Sequence, residues 1–386
     1  MYINGILVFK FEDTMETQAN IQVVEDFEFI MSLLPIGWEA RAKELGALRR
    51  CRKIPNARVL LQVLLTHLAE GLSLRATAAW AKQSGLIDIS DVTIMDRLRN
   101  CEAWFQWLNQ ELMRNLIQHP PERINNRFRI RIIDGTHVHE PGQTGSCWRI
   151  HYAIDLPSLH CSELYITDSK GIGTGEKFQR FTVSKDDLFI GDRVYGVAGG
   201  IAHVLDGGGD ALVRFGWKTL QFCHIDGTHF DLFAHLRTLH GTQLADWSVC
   251  IKHKDRLIPG RICALRRSRQ AAAEALQHAK RRAQKDGSKI LEKTLEATQY
   301  VFVFTSVVRQ ILQPAQVLDF YRGRWQVELV FKRLKSIMAL GHLRKYDDEA
   351  SRAWLQGKLF IALLIEVLLR YGESFFPWGY PLWKVE

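Results

Sequence analysis

Hydrophobic and polar positions change rhythm twice along the chain. Up to about His119, apolar residues recur at helical spacing in Val59–Leu68 and Trp104–Leu116, and Pro120 and Pro121 end the pattern. Within this part, Leu74–Leu86 and Val92–Leu98 predict two helices in tandem with Gly85 between them. The pair is compatible with a helix-turn-helix whose second helix lays Arg97 and Arg99 across a DNA groove. It is equally compatible with two ordinary packed helices, because the connection is longer than that motif usually has.

After Pro121 the period becomes two. Phe128–Ile133 sets Phe and Ile against Arg129 and Arg131, the alternation of a strand. Further strands are expected at Trp148–Ile154, Ser162–Thr167, Leu188–Gly191 and Ala211–Phe215, with a short helix at Val197–Leu205. Three strands in succession, then strand–helix–strand, predict a mixed α/β sheet with helices packed on it.

From Trp217 to about Thr298 the texture is less regular, with strand-like pieces at Gln221–His224, Phe230–Ala234 and Trp247–His253. Tyr300–Val307 reads as a strand returning to the sheet. Pro314 suits the first turn of a helix expected to run to about Met338. Arg352–Arg370 is another helix, followed by the aromatic tail Phe375–Trp383.

Composition narrows the class. With 386 residues, 47% hydrophobic and 24% charged, the chain is an ordinary globular one, which excludes disordered, collagen-like and coiled-coil architectures. Lys plus Arg exceed Asp plus Glu by 51 − 42 = 9, which permits a polyanionic partner without requiring one. Residues 261–293 hold ten Lys or Arg and three acids, 10 − 3 = 7, most of that excess. Such a run is either a solvated helix face or a surface that tracks phosphates. The seven cysteines are scattered and never spaced C-x-x-C, as expected in a reducing cytosol. The longest apolar stretch, Leu359–Leu369, contains Glu366 and is about half the ~20 residues a bilayer requires, so it reads as a buried helix. Met1–Phe11 lacks the basic region and cleavage site of a signal peptide. A cytoplasmic protein with no membrane partner is expected.

Candidate chemistry begins with two aspartates. Asp134 closes the first strand, in Ile133-Asp134-Gly135-Thr136, and Asp192 closes another, in Gly191-Asp192-Arg193-Val194-Tyr195. A single acid in such a place is commonly a turn residue or cap. Two at the ends of adjacent strands make a shared site, since sheets place ligands at such ends. The third element is Tyr321-Arg322-Gly323-Arg324-Trp325-Gln326-Val327-Glu328 and its continuation to Lys335. At about 100° per residue, Tyr321, Arg324, Glu328 and Lys335 fall at about 0°, 300°, 340° and 320°, one stripe about 60° wide. A polar stripe is ordinarily the wet face of an amphipathic helix. This one combines a phenol, two cations and a carboxylate, which suits gripping phosphate and metal together. Three converging carboxylates repel unless hard divalent ions neutralise them. Two such ions ~3.5–4 Å apart activate a water or 3′-hydroxyl and stabilise the leaving oxygen at a phosphodiester.

On these residues the chain resembles the DDE transposases of bacterial insertion sequences, of the cut-and-paste type. Their signature Y-x2-R-x3-E-x6-K is met by Tyr321, Arg324, Glu328 and Lys335, and their D-G-T motif by Asp134-Gly135-Thr136. The second motif, D-x-G-Y or D-x-G-F, is met by Asp192 and Tyr195, with Val194 where glycine is usual. The spacings, 192 − 134 = 58 and 328 − 192 = 136, suit a ribonuclease-H-like core interrupted by a β-rich insertion. The likeness covers roughly residues 128–340.

The resemblance implies a helical N-terminal DNA-binding domain at 1–120 and a catalytic core at 121–216 and 299–345. It further implies a β-rich basic insertion at 217–298 and a C-terminal helical segment at 346–386. Asp134, Asp192 and Glu328 would hold two Mg²⁺ ions, with Mn²⁺ able to substitute, and Tyr321, Arg324 and Lys335 would position DNA phosphates. The partner would be double-stranded DNA, both element ends and target, bound by a homodimer on paired ends at the nucleoid. Such enzymes recognise terminal inverted repeats, expose a 3′-hydroxyl and join it to target DNA. Some pass through a hairpin, with a flipped base stacked on an aromatic of the insertion region. Tyr300 and Trp247 are the candidates for that stacking.

Two other readings compete. His137 and His139, spaced H-x-H, could join Asp134 and His151 in a mononuclear zinc or iron site of a metal hydrolase or oxygenase. That reading leaves the Tyr321–Lys335 stripe without a purpose. A degenerate transposase that still binds DNA ends as a regulator is the other, weighed against by the intact Asp, Asp, Glu set.

Overall fold

The computed structural model of the protein describes residues 27–69, 71–117, 123, 127–139, 146–241, 243–336, 338–340, 343 and 347–375. Described residues up to Leu112, together with those from Gln356 on, form one compact unit, and Met113–Leu355 form a second.

The first unit is helical. It contains α1 (Trp38–Glu44), α2 (Ala57–Ala69), α3 (Leu74–Gln83), α4 (Asp91–Arg99), most of α5 (Glu102–Ile117) and much of the last helix, Asp348–Phe375. Ser73 and Ser90 start α3 and α4, their hydroxyls accepting from the amides of Ala76 at 3.1 Å and Thr93 at 3.3 Å. Gly85, at φ 69°, takes the left-handed turn that ends α3. Trp104 stacks on Trp38 with centroids 6.1 Å apart and donates its indole N–H to the Trp38 carbonyl at 3.1 Å. Gly357 lets the last helix approach α2, since a methyl group there would lie 2.5 Å from Leu68 Cδ1. The apolar stretch from Leu359 is thus a packed helix, and no helix among the described residues is long and apolar enough to cross a membrane.

The second unit is a nine-stranded sheet in the order β3-β2-β1-β4-β5-β9-β8-β7-β6. Its strands are β1 (Arg129–His139), β2 (Ser146–Leu156), β3 (Cys161–Asp168), β4 (Asp187–Gly191), β5 (Asp210–Arg214), β6 (Phe222–Cys223), β7 (Leu244–His253), β8 (Arg256–Arg266) and β9 (Tyr300–Thr305). β1 runs parallel to β4 and β4 to β5, while every other neighbouring pair is antiparallel. The mixed sheet expected from strand–helix–strand is present, with α6 (Ala198–Asp206) crossing between β4 and β5. The strands between 217 and 298 are not a separate layer. β8 pairs with β9, so they extend the same sheet, and one apolar core runs from Ile133 and Phe189 through Phe222 and Ile251 to Phe304.

Three expectations need correction. β1 does not stop at Asp134 but continues to His139, because β2 pairs with it along that length. Phe230–Ala234 is not a strand: the Asp231 carboxylate accepts from the amides of Phe233 at 3.0 Å and Ala234 at 3.1 Å and so caps α7 (Leu232–Arg237). The remaining helices are α8 (Arg269–Lys285), α9 (Glu292–Ala297), α10 (Pro314–Gly323), α11 (Trp325–Ser336) and α12, the last helix of the chain. The single helix expected from Pro314 to Met338 is therefore two. At the junction the amides of Arg324 and Val327 bond to carbonyls three residues back, a local tightening that redirects the axis.

Candidate active site

The parallel register of β1 and β4 places Ile132 opposite Ile190. Asp134 and Asp192 each lie two residues further on, so the register brings them together at the end of that pairing. β1 continues beyond it beside β2 alone, with Asp134 opposite Tyr152. After β4 the chain turns sharply, and a methyl group at Gly191 would lie 2.7 Å from Tyr195 Cβ and 2.8 Å from Phe178 Cζ. The Asp192 carboxylate accepts the Val194 amide at 2.8 Å, closing the turn. Val194 is not among the described non-glycine residues with positive φ, so a β-branched side chain fits where the D-x-G-Y pattern has glycine.

The third carboxylate arrives through Arg324. Its guanidinium donates to Asp134 Oδ2 at 3.1 Å and to Glu328 Oε1, bridging two acids far apart in sequence. Glu328 remains 57% exposed at its side chain, whereas Asp134 is 13% exposed. Burial raises the Tyr321 phenol pKa, while the charges of Arg324 and Arg214 oppose the rise. Lys335 is exposed on α11, and its charge reaches His137. Of the signature residues, Arg324 and Glu328 thus contact the Asp134 end directly, Tyr321 sits within electrostatic reach of Asp192, and Lys335 stands towards the β1 histidines.

Asp134 carries the main electrostatic signal. Burial, then the charge of Asp192, push its carboxyl up to about 7 against the pull of the Gly135 amide and Arg324. Among the described residues no three acid, histidine or cysteine side chains come close enough to hold an ion together. Arg324 lies as the cation between Asp134 and Glu328. The donor set still suits a hard divalent ion: oxygen only, with one carboxylate whose ionisation is costly until a cation joins it.

The histidines do not form a metal site. Strand alternation turns His137 and His139 to the face of Gly135, away from Asp134. His137 Nε2 accepts from Arg149 Nε at 2.8 Å. His151 is wholly buried, bonds Thr167 Oγ1 at 2.8 Å, and has its pKa lowered to about 3, first by burial and then by Arg180, so it is neutral.

Tyr300 is corrected too: at 4% exposure its ring is part of the core and offers no face to a base. Trp247 is half-buried against Phe230 and His235, with centroids 6.3 Å and 5.4 Å away. In α4, Arg97 donates to the Arg50 carbonyl at 3.2 Å and Arg99 to Asp96 at 2.8 Å, so both have partners inside their own unit. Pattern reading missed Glu176 and Arg149. They meet beside Gly135, with Arg149 Nε 3.3 Å from Glu176 Oε1. Glu176 lies in a loop, and no periodicity marks it.

Residues 125–365 match the transposase DDE domain family. The chain belongs to that family, among the DDE transposases of insertion sequences. It is 31% identical over 345 residues to the InsL transposase of insertion sequence element IS186A from Escherichia coli K12, covering 88% of this chain and 92% of that protein. It is likewise 31% identical over 346 residues to the transposase of IS421 from Escherichia coli, with the same coverage. Among solved structures it is similar to the piggyBac transposase in a synaptic complex with hairpin DNA. That likeness has a TM-score of 0.47 and 8% identity, and covers 89% of this chain and 73% of that one. DDE transposases generally use divalent metal ions.

Proposed function

We propose that this protein binds the terminal inverted repeats of its insertion sequence and catalyses strand cleavage and strand transfer with Asp134, Asp192 and Glu328. The observation that carries the reading is the junction at the sheet edge. The β1–β4 register sets Asp134 beside Asp192, and Arg324 ties Glu328 to Asp134. The order β3-β2-β1-β4-β5, antiparallel then parallel, supports a ribonuclease-H-like core, with 217–298 as its insertion.

Two divalent ions held by these three carboxylates, Mg²⁺ or Mn²⁺, would supply Lewis acidity and a more acidic attacking water or hydroxyl. The residues themselves do the rest. Arg324, with two N–H groups already aimed at anions, exchanges a carboxylate for a phosphate oxygen when DNA enters. Tyr321, half-buried beside Arg324, donates its hydroxyl to the neighbouring phosphate, and Lys335 holds a phosphate further along the groove. Trp247 is the remaining candidate to stack a flipped base. The helical first unit supplies further DNA contacts, and two copies pair two element ends in the cytoplasm at the nucleoid.

The test is cleavage of labelled DNA carrying the element's ends, in Mg²⁺ and in EDTA, by wild type and Glu328→Gln. Metal-dependent cutting at the boundary is expected, reduced at least ~10³-fold in the variant, about 4 kcal/mol in the barrier, with DNA binding retained. Binding without cutting by wild type would assign a regulator of the same DNA ends instead. Neither binding nor cutting would end the proposal.

A further inference from the structure

We infer that Glu176 is a fourth acidic residue of this site: a positioning residue whose charge, held against Gly135 and tempered by Arg149, strengthens the grip of the Asp134–Asp192 pair on divalent ions. The inference rests on the metal-dependent reading above.

Contact comes first. A methyl group at Gly135 would lie 2.8 Å from Glu176 Cγ and Cδ and 2.9 Å from Oε1, so the carboxyl group is pressed on the backbone beside Asp134. The Gly135 amide, in turn, donates to Asp134 Oδ1 at 2.8 Å. Any shift of Glu176 therefore reaches the Asp134 carboxylate through one peptide unit. The Glu176 side chain is only 14% exposed.

The loop that carries it is anchored. Arg149 on β2 lies 3.3 Å from Glu176 Oε1, donates to the Thr174 carbonyl at 2.9 Å and donates to His137 at 2.8 Å. Stapling a loop is enough to explain an Arg–Glu pair in isolation. It does not explain why the carboxylate is placed where Asp192 disfavours its ionisation and where it disfavours that of Asp134. Like charges gathered at a sheet edge cost free energy that a bound cation returns.

A separate observation also points to a ligand. Tyr195 is wholly buried and its hydroxyl has no hydrogen-bond partner, although Glu176, Asp134 and Asp192 are the acids whose charges bear on it. Buried hydroxyls of this kind are normally satisfied by an ordered water, and water carried by a hard cation is the species these carboxylates would retain.

The charge role and the staple role differ in sign. If Glu176 acts by its charge, removing that charge weakens cation binding and removing the opposing Arg149 charge strengthens it. If the pair only anchors the loop, breaking it from either side acts in the same direction. The test measures free Mn²⁺ by electron paramagnetic resonance during titration of the full chain without DNA, with melting checked by circular dichroism.

Glu176→Gln is expected to raise the Mn²⁺ Kd about 10-fold, within the range for outer residues of metal sites. Arg149→Gln should lower it, and Glu176→Asp, which keeps the charge, should stay within about threefold of wild type. The same order should appear in the Mg²⁺ concentration that half-saturates cleavage. A Kd for Glu176→Gln within twofold of wild type, or shifts of the same sign in Glu176→Gln and Arg149→Gln, would overturn the inference. Should Glu176→Gln not fold, weakened binding in a folded Glu176→Asp overturns it as well. Asp134→Asn is the control for the underlying reading: if it leaves Mn²⁺ binding unchanged, the metal assignment itself fails, whatever Glu176 does.

Discussion

Arg131 and Arg324 each join carboxylates from distant segments, and their surroundings are opposite. The Arg131 side chain is 3% exposed, sits 2.7 Å from Glu163 and 3.5 Å from Asp187, and donates to the Thr182 carbonyl at 2.6 Å. Its guanidinium lies 5.1 Å from the centre of the Phe189 ring. Every anion it serves is inside the fold, with nowhere else to find a counter-charge. Arg324 serves one shielded acid, Asp134, and one that stands in water, Glu328. The first arrangement is fixed by desolvation, since releasing any member strands a buried charge. The second is exchangeable, because water, a metal ion or a phosphate can replace either partner at modest cost. An arginine between carboxylates thus marks scaffold or site according to whether its anions have an alternative.

The comparison breaks first at its buried member. Arg131→Met should destabilise the protein by ~3–5 kcal/mol in denaturant unfolding, as expected when one side of a buried ion network is removed. A loss below ~1 kcal/mol would mean that the three acids neutralise themselves and that the contrast is false. The reverse profile is expected for Arg324→Met. Glu328 is already hydrated and Asp134, near 7, can take up a proton, so unfolding should change by no more than about 1 kcal/mol. Cleavage should nevertheless fall ~100-fold, about 2.7 kcal/mol in the barrier.

A titration tests burial without either arginine. His151 is held neutral with a pKa near 3, below its ordinary 6.5. The unfolded chain therefore takes up more protons between these values, and stability falls as pH drops below 6.5 until the folded state also protonates. His151→Gln, which keeps a partner for Thr167, should remove ~2 kcal/mol of that loss at pH 5, read as a flatter dependence of melting on pH. The smallest effect belongs to a cap in neither network. Ser90→Ala should cost ~1 kcal/mol at the start of α4 with cleavage chemistry unchanged.

The same contrast explains what could be read along the chain. Alternation in Phe128–Ile133 identified a strand correctly, but it also cast Arg131 as an outward residue. β1 is instead covered on both faces, and the polar side of the alternation is where Asp155, Glu163 and Asp187 converge. The Tyr321–Lys335 stripe was visible because helical neighbours three, four and seven residues apart share a face whatever else the fold does. The junction at Arg324 changes the axis without moving Glu328 away from Arg324.

Residue spacing by itself determined the strands that hold Asp134 and Asp192, the helix face that carries Glu328, and membership of a family whose motifs are short and local. Only the tertiary structure decided which side chains meet. It buried Tyr300, turned His137 away from Asp134, carried the strands after Trp217 into the same sheet, and set Glu176 against Gly135. The reason is one of range. Periodicity reports the geometry of a few bonded neighbours, whereas burial, register and ion pairing depend on segments brought together across the chain, as Arg324 and Asp134 are over 190 residues.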